Sequence, residues 1–206
     1  LRRRIELEGN GPQAVAIVGS NAYVSHYFTG NLNKVDLEPD VRRPVKSFSL
    51  GDEPDPTSVR TGMMLFNDAR CCFQHWQSCA SCHPDGRADG LNWDLLNDGI
   101  GNPKNAKSLL LSHKTPPVMC SGVRPTAEVA VRAGIRYIQF AVRPEEDAEA
   151  IDAYLKSMVP APSPYIEGGK PSPTAERGQA LFFREDVGCA GCHPEPLYTD
   201  LKMHNV

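Results

Sequence analysis

The sequence predicts a mainly α-helical chain that opens with a small β segment, and three observations carry that reading. Residues 1–60 hold four short runs rich in Val, Ile and aromatic residues, divided by turn clusters at Gly19-Ser20-Asn21, Gly30-Asn31 and Pro39-Asp40. From residue 61 onward apolar residues recur at helical spacing instead. A Gly-x-x-Leu-Phe segment followed by Cys-x-x-Cys-His occurs twice, at 62–83 and at 178–193.

The β runs are AVAIVG (14–19), NAYVSHYF (21–28), NKVDL (33–37) and PVKSFSL (44–50). Four short strands in about 45 residues match the strand count and length of one β-propeller blade. A single blade cannot bury its own faces. Companion blades are therefore expected upstream of residue 1.

Three helices are expected in the second part. TAEVAVRAGIRYIQFAV (126–142) is apolar nearly all round, bracketed by Pro125 and Pro144. Its one polar stripe is Glu128, Arg132, Arg136 and Gln139, with Glu128 and Arg132 an i,i+4 pair. Such a helix should be mostly buried. PEEDAEAIDAYLKSM (144–158) places Pro144 at its first position and Glu145, Glu146 and Asp147 in its first turn, where acids suit the helix dipole. Its apolar stripe is Ala148, Ile151, Leu155 and Met158, and Pro160 ends it. SPTAERGQALFF (172–183) has Ser172 as N-cap and Pro173 behind it. A Pro- and Gly-rich stretch separates the last two helices. The expected organisation is a β segment at 1–60, a first motif-bearing domain at 61–160, a linker at 161–173 and the start of a second, truncated domain at 174–206.

The two repeats, GMMLF (62–66) to CASCHP (79–84) and GQALF (178–182) to CAGCHP (189–194), differ by six residues that fall within DARCCFQHWQS. Gly, Leu and Phe at i, i+3 and i+4 share a helix face. The glycine lets another helix cross closely, and for the first copy the partner is the 144–158 helix.

Bulk properties exclude some classes. The net charge is -3 over 206 residues, and no run of like charge stands out beyond Arg2–Arg4. This argues against a nucleic-acid partner or a polybasic membrane role. No apolar stretch reaches the length of a membrane span. The start, LRRRIELEGNGPQ, lacks both Met and an apolar signal region, as in a mature or clipped chain.

Seven cysteines occur, at 71, 72, 79, 82, 120, 189 and 192. Three chemistries compete for the two Cys-x-x-Cys-His motifs: a four-thiolate zinc site, a redox dithiol, or covalent haem with both cysteines in thioether bonds and the histidine on iron. The histidine decides. A four-thiolate zinc site has no use for a histidine fixed twice behind the second cysteine, and a thioredoxin-type dithiol needs a βαβ setting. Two haem c groups are expected, on Cys79, Cys82 and His83, and on Cys189, Cys192 and His193.

With these motifs in view, GMMLF…CASCHPDGRADGLNWDLLNDGIGNPKNAKSLLLSHKTPPVM and RGQALFF…CAGCHPEPLYTDLKMHNV resemble the bacterial di-haem cytochrome c peroxidase and MauG family. More closely, they are similar to its branch with a preceding YVTN-type β-propeller, of which residues 11–37 resemble a last blade. The resemblance implies cytochrome c-type haem domains, and a second domain with several more helices than the 13 residues after His193 supply. Its usual distal methionine is then expected beyond Val206.

The sixth ligand of the first haem stays open between Met119, His113 and an unfilled position. Near the second motif, Met203 and His204 are read as structural. Arg87 is a candidate for a haem propionate, as is Arg124. Trp76 and Trp93 are core residues by default; the sharper reading puts them between the haems. In DGRADGLNW, Asp85, Arg87, Asp89 and Gly90 partly match a calcium loop, but Arg87 and Leu96 break it. Haem attachment implies a periplasmic or otherwise exported protein. There Cys71 or Cys72 can pair with Cys120, with no basis for choosing between them.

The functional expectation is an oxidoreductase in which one haem meets peroxide or another oxidant and the other receives electrons from a small redox protein or small molecule. The alternatives are an electron carrier with both irons six-coordinate, and a haem-bearing propeller binding protein.

Overall fold

A computed structural model of the chain describes residues 4–42, 44–52, 54–95, 100–166, 168–202 and 204–205. Leu96 and Met203, both named above, lie outside the described residues.

The β segment is a four-stranded antiparallel meander in the order β1 (Pro12–Val18), β2 (Asn21–His26), β3 (Asn31–Asp36) and β4 (Val45–Ser49). The register pairs Val15 with Val24 and Val24 with Asn33, and Ile17 with Ala22 and Ala22 with Val35. Strand alternation therefore gathers Val15, Ile17, Ala22, Val24, His26, Asn33 and Val35 on one face. Ala22, His26, Asn33 and Val35 are buried there. The stretch before β1 crosses this face: Glu8 N–H donates to Asn33 Oδ1 at 2.9 Å. At the β1 edge the face is open, with Val15 67% and Ile17 68% exposed.

Helix α1 (Ser58–Asn67) starts on an N-cap, Thr57, whose side chain accepts from Arg60 N–H. Arg60 also ties the helix to the sheet: Nη2 donates to Tyr27 O at 2.5 Å, and the guanidinium lies 4.5 Å from the Tyr27 ring centroid. After α1 come α2 (Cys79–Cys82), the short pair β5 (Asn92–Trp93) and β6 (Lys104–Asn105), α3 (Ala127–Tyr137), α4 (Glu145–Ser157), α5 (Pro173–Phe182) and α6 (Cys189–Cys192).

The helical core forms where α1 crosses α4. Leu65 and Phe66 of α1 pack with Ala150, Ile151 and Leu155 of α4, and Phe66 meets Tyr154 edge-on at 5.4 Å. The crossing is as close as the sequence implies. A Cβ on Gly62 would lie 1.8 Å from Ala150 O. At α5, by contrast, nothing among the described residues lies within 4 Å of a Cβ placed on Gly178.

Helix α4 follows the expected pattern, except that Pro144 is its N-cap rather than its first helical residue. Helix α5 has Ser172 as N-cap, its hydroxyl accepting from Ala175 N–H. Helix α3 departs from expectation twice. It ends at Tyr137, five residues early, where Gly134 O accepts from both Ile138 and Gln139 N–H. It is also not buried all round: of its residues only Ala127 is. Two residues of its polar stripe, Glu128 and Arg132, face α4 instead of pairing side chain to side chain. Arg132 turns to Glu145 and Asp152, and Glu128 pairs with Lys156 at 2.8 Å.

The Glu128–Lys156 pair gives a pH prediction. The hydrogen bond from Lys156 holds the Glu128 carboxyl down at about 2, from a usual 4.5. The folded value is lowered, so the contribution is fully present above 4.5 and is lost as pH falls toward 2. Both side chains are partly exposed, so the effect on stability is about 0.5 kcal/mol or less. An NMR titration should show the Glu128 carboxyl returning toward its usual value in Lys156→Gln.

Candidate haem sites

The two Cys-x-x-Cys-His motifs adopt one geometry. In each, the cysteines open and close a single helical turn, α2 or α6. That i, i+3 spacing puts both thiols on one face. The histidine caps the turn with nearly the same backbone angles, φ -122° and ψ 61° at His83 and φ -120° and ψ 59° at His193. His83 N–H donates to Cys79 O and His193 N–H to Cys189 O, each at 3.0 Å. Asp89 N–H donates to Cys82 O and Asp200 N–H to Cys192 O, each at 3.1 Å.

The imidazoles are oriented alike as well. His83 Nδ1 lies 3.1 Å from Arg87 O, and His193 Nδ1 lies 2.9 Å from Tyr198 O. A carbonyl only accepts, so Nδ1 carries the proton and Nε2 keeps its lone pair. This is how a metal-binding imidazole is set by its other nitrogen.

That arrangement fits covalent haem: two free thiols on one face of a turn, and beside them a histidine with its basic nitrogen turned away from the backbone. It does not fit the rivals. Among the described residues no group of three or more His, Cys, Asp or Glu can hold a metal ion, so the two cysteine pairs do not assemble into one zinc site. Burial pushes the Cys79 thiol up to about 12 and also raises Cys82. A reactive dithiol needs the opposite shift.

Several further residues surround the first motif. Arg87 serves through its backbone, its carbonyl holding His83. Its guanidinium is exposed and forms no ion pair among the described residues. Gly86, at φ +67°, lies against Met158: a Cβ there would be 2.4 Å from the methionine sulfur. Asp89 spends one oxygen on Leu91 N–H at 2.9 Å and the other on Trp93 Nε1 at 2.8 Å. The loop is thus a turn that anchors a half-buried tryptophan, and among the described residues no acidic cluster forms there for calcium. Trp76 is not a core residue; it is 59% exposed. The described cysteines are all free thiols, so the expected disulfide to Cys120 is not formed.

His113 and Met119 part company. His113 Nε2 lies 2.9 Å from Asp152 Oδ1, and both side chains are buried. Met119, 38% exposed, sits at the corner of a tight hairpin closed by Val118 and Arg124, whose N–H groups donate to each other's carbonyls. In the second motif His204 Nε2 is held 3.0 Å from Asp200, in keeping with a structural role. Beside that motif, Pro171, Ala175, Gly178, Phe182, Phe183 and Tyr198 line an open groove.

No protein-family profile matches the chain. The chain is 32% identical over 167 residues to hydrazine synthase subunit gamma of Kuenenia stuttgartiensis, a match that covers 72% of this chain and 47% of that protein. The chain therefore spans about half the length of the curated relative it matches. Among solved structures, a chain of Kuenenia stuttgartiensis hydrazine synthase pressurised with xenon superposes with a TM-score of 0.65 at 27% identity, over 73% of this chain and 54% of that one. A MauG-like protein associated with microbial copper homeostasis superposes with a TM-score of 0.52 at 19% identity, over 77% of this chain and 56% of that one. The second likeness is one of fold. It does not bear on a propeller. No described helix is long and apolar enough to cross a membrane.

Proposed function

We propose that the chain is a di-haem c-type redox protein, with one haem on Cys79, Cys82 and His83 and the other on Cys189, Cys192 and His193. The observation that carries this reading is the duplicated geometry: two Cys-x-x-Cys turns, each followed by a histidine whose Nδ1 is fixed on a carbonyl. The fold shared with a MauG-like protein supports it. Thioether attachment places the protein in an exported, oxidising compartment. The four-stranded meander, with its open apolar edge at β1, is read as one blade stacked on others.

The iron of each haem supplies electron transfer and the binding of a small oxidant when the group is present. The chain's own residues orient it. Arg87 O and Tyr198 O hold the proximal imidazoles. Met119 is proposed as the sixth ligand of the first haem, because His113 is committed to Asp152. A thioether there favours a high-potential electron-transfer haem, and the haem whose sixth position opens to the oxidant is the reactive one. The proposed oxidant class is peroxide: two electrons and two protons convert hydrogen peroxide to two waters. A small redox protein or small molecule supplies the electrons.

Rapid mixing of the haem-loaded, half-reduced protein with hydrogen peroxide tests this. Peroxide consumption coupled to oxidation of a reduced donor is expected. Both irons remaining six-coordinate, with peroxide untouched, would leave the electron-carrier reading.

The similarity to hydrazine synthase subunit gamma supports a second reading, a subunit that carries out redox chemistry on small nitrogen compounds. It predicts spectral changes at one haem with hydrazine or hydroxylamine where peroxide gives none, and co-purification with other subunits.

A further inference from the structure

The strongest polar feature of the helical part lies away from the cysteine motifs. Asp152 of α4 is buried, its side chain 6% exposed, between two cations or cation-forming groups. Its Oδ1 is 2.9 Å from His113 Nε2, and its Oδ2 is 2.5 Å from Arg132 Nη1. Arg132 also donates from Nε to Glu145 Oε1 at 2.8 Å and from Nη1 to Glu128 O at 3.0 Å. One carboxylate thus joins helix α4, helix α3 and the loop that carries His113.

A buried ion network contributes little to stability that an apolar side chain would not. Its distinct effect is directional, because it holds its partners in one register. What it holds here is the loop from 109 to 126. The loop starts at the first haem motif, where Leu109 N–H donates to Gly86 O at 2.8 Å. It ends at Thr126, whose side chain caps α3. Between those ends lies the hairpin with Met119 at its corner. Leu111 and Met119 have φ of +61° and +75°, left-handed conformations that non-glycine residues keep only when their surroundings hold them. His113 is the loop's interior attachment to the helices.

We infer that Asp152, acting through His113 and Arg132, is a positioning residue that sets where the Met119 hairpin stands relative to the haem on His83. The inference rests on the haem reading above. It also assigns His113 to the scaffold rather than to iron.

The test uses the haem-loaded full chain. Asp152→Asn and Arg132→Lys are compared with Lys156→Gln, which removes the outer pair with Glu128. The readouts are the midpoint potential of each haem, the near-infrared magnetic circular dichroism bands that report iron ligation, and the thermal midpoint. Asp152→Asn and Arg132→Lys should shift the potential of one haem, weaken or move its ligand band, and leave the other haem unchanged. Lys156→Gln should move neither. If Asp152→Asn does not fold, His113→Gln takes its place. A variant that melts earlier while both potentials and bands stay as in the parent overturns the inference and leaves a strut. Met119→Ala separates the two readings. An unchanged band in that variant, with a changed one in Asp152→Asn, removes Met119 as ligand and keeps Asp152 as positioner. A purified chain with no thioether-bound haem overturns both.

Discussion

Gly62→Val is expected to cost about 3 kcal/mol or more, the upper end of what overpacking a core does. The reason is local and severe. Even the Cβ of alanine would stand 1.8 Å from Ala150 O and 2.4 Å from Ala150 C, which is backbone and cannot swing aside. Helix α4 would have to move off α1, and with it the contacts of Leu65 and Phe66 to Ile151 and Leu155. Gly62→Ala should already cost about 2 kcal/mol by the same argument. The matching change in the second copy, Gly178→Ala, meets open space and gains helix propensity, so α5 should be stabilised by about 0.5–1 kcal/mol. Urea titrations followed by circular dichroism on the three variants measure this. Equal effects at residues 62 and 178 would contradict the crossing.

That contrast also shows how far the sequence reaches. The glycine, leucine and phenylalanine at i, i+3 and i+4 on α1, and the apolar stripe on 144–158, suffice to predict which helices meet, because each pattern carries its own period. The four strand runs are legible for the same reason. Helix α3 is where pattern reading fails. Counting apolar residues predicts an all-round buried helix, but Arg132 is drawn to a carboxylate twenty residues away on α4 rather than to the Glu128 carboxylate one turn back. Nothing in the local period announces that partner. Trp76 illustrates a second limit: it sits in the six extra residues of the first repeat, where Gln74 and His75 adopt positive φ and the aromatic is left outside.

At the candidate sites the proposed anchors and both motif histidines are legible from spacing alone. Their orientation is not. Arg87 and Tyr198 act through main-chain carbonyls, at four and five residues beyond the histidine, and a carbonyl has no sequence signature. The glycine of HPDGR is the one clue at the first motif, since its φ of +67° favours a residue without a Cβ. The choice between His113 and Met119 likewise turned on Asp152, a residue with no visible tie to either in the sequence.

The second large effect concerns the haems themselves. Replacing Cys79 and Cys82 together by alanine should remove one covalent haem and leave the other, and the same should hold for Cys189 with Cys192. The motifs share geometry and have separate donors, so neither loss should propagate. Pyridine haemochrome spectra count the haems in each variant. Retention of both haems in either double variant would contradict the assignment of anchors.

The most direct measurement is the intact mass of the denatured chain, purified from an export compartment equipped for haem attachment. The account predicts the 22.6 kDa polypeptide plus two haems that survive denaturation. A mass equal to the bare polypeptide, with all four motif cysteines alkylatable, would contradict it.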